Sequence, residues 1–94
     1  MSKRDEYIAK IKLQLDELNA NIGAAETKLH AAKAEVREKY TAEVGKLQEQ
    51  YKHAVASLDE LKAAGEDSWE AMVAKVEKVR DALKHSYNYF KSQL

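Results

Sequence analysis

The sequence predicts an all-α protein, a long helix followed by a shorter antiparallel one. Three observations carry that reading. Proline is absent from the 94 residues and there are only three glycines. Charged residues make up 34% of the chain, the profile of long helices and coiled coils. An apolar seam with steps of three and four runs through Ile8, Ile11, Leu15, Leu18, Ile22, Ala25, Leu29, Ala32, Val36, Tyr40, Val44, Leu47, Tyr51, Ala54, Leu58 and Leu61.

The first element is expected to be one continuous helix over residues 3–64, roughly 93 Å long at about 1.5 Å per residue. Ser2 is the expected N-cap, and Asp5 and Glu6 put carboxylates at the positive end of the helix dipole. Glu6 with Lys10 and Glu35 with Lys39 are acid-before-base pairs at i,i+4. Asn19, Asn21 and Gly23 form the weakest stretch, but Leu18, Ile22 and Ala25 stay in phase across it, whereas a turn would reset the phase. Between His30 and Glu38 there is no glycine, proline or capping residue, and Ala31, Ala32 and Ala34 favour helix.

Gly65 suits a left-handed position after a helix end, and Asp67 with Glu70 suits the N-cap and N3 of a second helix. The turn is therefore placed at 65–67 and the second helix at 68–92, all within one domain spanning 1–94. The second helix presents Trp69, Met72, Val73, Val76, Val79, Leu83, Tyr87, Phe90 and Leu94 on one face. Of these, Trp69, Met72, Val76, Leu83, Tyr87 and Phe90 are its expected packing residues.

Reversed about a point between Ala34 and Glu35, the seam falls nearly onto itself: Ile8 mirrors Leu61, Ile11 mirrors Leu58, Leu18 mirrors Tyr51 and Ile22 mirrors Leu47. Such a stretch packs antiparallel on a copy of itself. The second helix covers only half of so long a first helix, which would leave Ile8, Ile11, Leu15, Leu18, Ile22 and Leu29 in water at about 1.5 kcal/mol or more each. The expected assembly is an antiparallel coiled-coil homodimer with two three-helix bundle ends and a two-helix waist. Its interface residues would be Ile8, Ile11, Leu15, Leu18, Ile22, Leu29, Val36, Tyr40, Val44, Leu47, Tyr51, Leu58 and Leu61. The competing arrangement is a monomer whose first helix breaks near residue 34 and folds back as a spectrin-like bundle.

Sixteen basic and sixteen acidic residues cancel and are mixed along the chain, which argues against a nucleic-acid partner. With no cysteine, thiolate chemistry is excluded. No segment has the roughly 18 apolar residues of a membrane span, and the expected location is the cytoplasm. Each histidine follows a carboxylate by four residues (Glu26 and His30, Glu49 and His53, Asp81 and His85), but an isolated pair offers two ligands where zinc takes four. Surface pairing is the expected role. Tyr40, Tyr51, Tyr87 and Phe90 are expected on the core faces and Tyr89 outside them, with Trp69 across the bundle end near Leu61 and Ile8 or Tyr7 of the partner copy. No catalytic, cofactor or metal site is expected.

The opening Met1-Ser2-Lys3-Arg4-Asp5-Glu6-Tyr7, with Ala9-Lys10 and Gln14-Leu15-Asp16-Glu17, and the later Asp67-Ser68-Trp69-Glu70 resemble small bacterial coiled-coil proteins sometimes labelled stress-response proteins. The resemblance implies a bacterial cytosolic coiled coil with no catalytic motif to transfer. This chain departs from it at Asn21 and Gly23, where such proteins tend to be charged. The functional expectation is a non-enzymatic structural or interaction protein, a homodimeric scaffold or stress-related binding module that contacts an unidentified protein. The alternative is reversible association of its amphipathic helices with a membrane.

Overall fold

The computed structural model describes residues 3–93. Their elements are three helices, α1 (Lys3–His30), α2 (Ala34–Ala63) and α3 (Glu66–Gln93), with no strand among the described residues. The protein is therefore all-α. The expected cap Ser2 and the stripe residue Leu94 lie outside the described residues.

Side-chain links give the topology. Arg4 at the start of α1 reaches Ala64 after α2, and Glu26 late in α1 meets Gln48 midway along α2, so these helices are antiparallel. Gln50 to Ser86 and Lys75 to Glu60 set α3 antiparallel to α2. Tyr7 to Glu77 and Arg80 to Gln14 show α1 and α3 running parallel. The result is an up-down-up bundle measuring 51 × 21 × 18 Å.

This corrects the expectation of one helix over residues 3–64 with a length near 93 Å. The first helix ends at His30 and the chain reverses over Ala31, Ala32 and Lys33. Local propensity there still favours helix, so the cause lies in packing. Folded back, Ile8 to Leu29 find their mirror partners within the same chain, and none of the freedom lost on association is spent. Reversal needs no strained residue, since only ordinary extended torsions occur at Lys33 (φ −62, ψ 152) and none of the described residues has positive φ. The three helices have 28, 30 and 28 residues, so the length mismatch that demanded a partner disappears.

The second turn also differs from expectation. Gly65 is not left-handed. Ala64 breaks the helix with extended torsions (φ −71, ψ 140), donating its N–H to the Leu61 carbonyl. The Gly65 carbonyl then accepts from the Ser68 N–H at 3.1 Å. Because α3 starts at Glu66, Asp67 sits inside its first turn rather than at the cap, where with Glu66 it still opposes the positive helix end.

The core combines the mirrored seam with the stripe of α3. Ile11, Leu15, Ile22, Leu61, Val76 and Leu83 have at most 1% of their surface exposed. Around them pack Tyr7, Ile8, Leu18, Val36, Tyr40, Tyr51, Trp69, Met72 and Tyr87, all partly buried. Among the described residues Ser57 is the buried polar side chain, and its hydroxyl donates to the His53 carbonyl at 3.0 Å.

Helix α1 runs unbroken through Asn19 to Gly23. Buried Ile22 and Ala25 hold this stretch against the bundle. A β-carbon on Gly23 would meet nothing within 4 Å, so Gly23→Ala is expected to add about 0.5 to 1 kcal/mol of stability. Thermal unfolding followed by circular dichroism checks this; a lower melting temperature would show that the glycine serves some other need.

Candidate functional site

The two turns of the bundle are built differently. At the α2–α3 turn, the first turn of α1 acts as a clamp. The Arg4 guanidinium donates to the Ala64 carbonyl, a cation placed where the helix dipole of α2 is negative. The same guanidinium lies 4.3 Å from the centroid of the Trp69 ring. Tyr7, one turn further along α1, meets Trp69 edge to face at 6.0 Å and donates its hydroxyl to the Glu77 carboxylate at 3.1 Å. Trp69 thus packs across the bundle end against Tyr7 of its own chain.

Burial, followed by the Glu77 hydrogen bond and its charge, pushes the Tyr7 hydroxyl up to about 12. The folded state holds this proton more tightly than the unfolded chain does. The stability so contributed is complete below the ordinary tyrosine value of 10.0 and is lost as pH climbs toward about 12. Denaturant titrations across that window should show a steeper decline for the native chain than for Tyr7→Phe. Parallel declines would remove Tyr7 as the source.

Among the described residues, the α1–α2 turn has no such clamp. The Ala31 N–H donates to Thr27 at 3.3 Å and the Ala32 N–H to Leu29 at 3.1 Å, closing α1, and Arg37 N–H to Lys33 opens α2. Lys33 occupies the N-cap of α2 without a side-chain hydrogen bond. Beside this turn Leu29 is buried, Val36 and Tyr40 are half-buried, and the Tyr40 ring meets Phe90 edge to face at 5.9 Å. The Tyr40 hydroxyl donates to the Gln93 carbonyl at 3.1 Å.

The thirteen residues expected at a dimer interface all belong to the core of the single chain or to its margin. Ile11, Leu15, Ile22, Leu29, Val44, Leu47, Leu58 and Leu61 are buried there, and Ile8, Leu18, Val36, Tyr40 and Tyr51 pack at its margin. In α3, Val76, Leu83 and Phe90 are buried, while Trp69, Met72 and Tyr87 lean on them. Tyr89 stands 66% exposed.

His30 lies 3.7 Å from Glu26 on the surface. Asp81 accepts instead from Arg80 at 2.9 Å, and Glu49 pairs with Lys52 at 3.7 Å. Among the described residues, no three or more histidine or acidic side chains gather around a common point. Lys39 lies 5.4 Å from the Tyr40 ring centroid rather than against Glu35.

Several grooves mark the surface, and two of them flank α3. One, of about 830 Å³, lies between α2 and α3 beside Ala42, Gly45, Leu47, Tyr89 and Phe90. The other, of about 620 Å³, lies between α1 and α3, which approach each other much less than either approaches α2. Its walls are polar. Arg80 reaches across it to the Gln14 side-chain oxygen at 3.0 Å, and half-buried Leu18 and Tyr87 sit deeper. The sequence reading missed Arg4 and the cross-links to Glu77 and Gln14. Only the heptad spacing of Lys10, Gln14, Glu17 and Asn21 on one helix face signals the α1 wall.

Among known protein families, curated proteins and solved structures, none matches this chain.

Proposed function

We propose that the chain is a non-enzymatic cytoplasmic interaction protein that works as a homodimeric scaffold, formed by exchange of α1 between two copies. The observation that carries this reading is the contrast between the turns. Ala31, Ala32 and Lys33 are strong helix formers without a capping side chain, so straightening them joins α1 and α2 into one helix with little local cost. The α2–α3 turn is held by Arg4, Tyr7 and Trp69, so it stays bent.

In the exchanged pair, α1 of one copy lies against α2 and α3 of the other. Every core contact of the closed chain is made again, and the Arg4 clamp is supplied by the partner copy. Both ends become three-helix bundles joined by a two-helix waist at Leu29 and Val36. A rod of this kind presents each outer face twice, at a separation fixed by the waist. That supports a scaffold role.

Light scattering over a wide concentration range tests the assembly. The expected mass rises from the 10.7 kDa of one chain toward twice that value, with a maximum dimension well beyond 51 Å. A single mass of one chain at every concentration overturns exchange. No helix among the described residues is long and apolar enough to cross a membrane. Strong co-sedimentation with anionic vesicles at the expense of the dimer would instead favour a lipid-associating protein whose seam opens onto a bilayer.

A further inference from the structure

The groove between α1 and α3 has the form of a vacant fourth position in a helical bundle. On α1 its wall includes Lys10, Gln14 and Asn21; on α3 it includes Arg80, Lys84 and Lys91. Lys10, Gln14, Glu17 and Asn21 follow the i, i+4, i+7, i+11 spacing of one helix stripe, and Arg80, Lys84, Tyr87 and Lys91 follow the same spacing on α3. Because the helices are parallel, the two stripes run side by side for three turns, roughly 16 Å.

Its charge is one-sided. Four cations line it against two carboxylates, Glu17 and Asp81, and Asp81 is already engaged by Arg80. Lys10, Lys84 and Lys91 have no carboxylate within ion-pair distance among the described residues, whereas Lys46, Lys52 and Lys62 on α2 each pair within their own helix. Half-buried Leu18 and Tyr87 lie among these charges and give the groove an apolar base. An apolar contact point beside unpaired cations is what an amphipathic helix with an acidic flank complements.

We propose that this groove is a docking surface for an acidic amphipathic helix of a partner protein. The helix would lie along the groove, its carboxylates on Lys10, Lys84 and Lys91 and an aliphatic side chain on Leu18 and Tyr87. Arg80, oriented by Asp81 and Gln14, sets the depth at which it stops. Such an interface is small and polar, so its binding is reversible and weakens with salt. The inference goes beyond the dimer and does not depend on it, because α1 lies beside an α3 both in the closed chain and in the exchanged pair.

The test uses the full chain, isotope-labelled, and a synthetic helical peptide carrying glutamates and leucines at i, i+4 spacing, with a lysine-for-glutamate version as control. The expected result is a set of NMR shifts at Gln14, Asn21 and Asn88 with the glutamate peptide and none with the lysine peptide. Lys84→Glu with Lys91→Glu should weaken binding at least tenfold, with unchanged helicity. Equal binding by the charge-reversed variant overturns the proposal. So do shifts centred on Tyr89, or no shift at about 1 mM peptide. A response to DNA or anionic vesicles but not to the peptide also overturns it.

Discussion

Leu83→Ala is expected to lower the melting temperature by about 10 to 25 °C. Leu83 has 0% of its surface exposed and belongs to the same core as Ile11, Leu15 and Leu61. Truncating a buried leucine costs about 2 to 5 kcal/mol, the lost transfer energy together with the cavity left behind. A domain of this size holds only about 5 to 14 kcal/mol in all. Leu13→Ala is the matched control, since Leu13 lies 61% exposed and its truncation should leave the melting temperature within a few degrees. Thermal unfolding of both variants by circular dichroism decides the matter. Similar losses for the two would mean that α3 does not pack on α1 and α2 along the Val76, Leu83 and Phe90 stripe.

That contrast between two leucines was legible in the sequence, because Leu83 continues the stripe from Trp69 to Phe90 and Leu13 falls off the α1 seam. The neighbours of α3 were legible too. Mirror symmetry paired Ile8 with Leu61 and Ile22 with Leu47, and the second helix was expected to complete a three-helix bundle on that pair. Which chain supplies the Ile8 and Ile22 side of that pair was not, because that choice rests on three residues whose local preference points the wrong way. Ala31, Ala32 and Lys33 read as helix and form a turn because closure within one chain recovers the whole seam. At the other turn Gly65 was read as a left-handed cap, yet an extended Ala64 makes the bend. The walls of the α1–α3 groove were hidden for a related reason. The pairing of Tyr7 with Glu77 and of Gln14 with Arg80 depends on the register of two helices that share no local sequence signal.

The α1–α2 turn yields the other large effect, a change of assembly from either of two opposite alterations. Deleting residues 31–34 leaves Leu29 and Val36 three apart, still in phase along one helix, but removes the connection that reverses the chain. Helix connections in bundles need about two to eight residues, so the shortened chain cannot close on itself. It is expected to be a dimer at every concentration, with a joined helix of roughly 85 Å in small-angle scattering. The opposite change is Ala32→Gly with Lys33→Asp. Lys33 already has the extended torsions of an N-cap, where aspartate adds about 1 kcal/mol to the closed form. Glycine at 32 takes about 1 kcal/mol from the straightened helix, so the two changes together move the balance about thirtyfold per chain toward the monomer. This variant should keep the mass of one chain where the native protein has begun to pair. Circular dichroism distinguishes either outcome from unfolding. A deletion variant that keeps full helicity, the mass of one chain and a length near 51 Å would show that α1 reaches its place without the turn, and exchange through Ala31 to Lys33 would be abandoned.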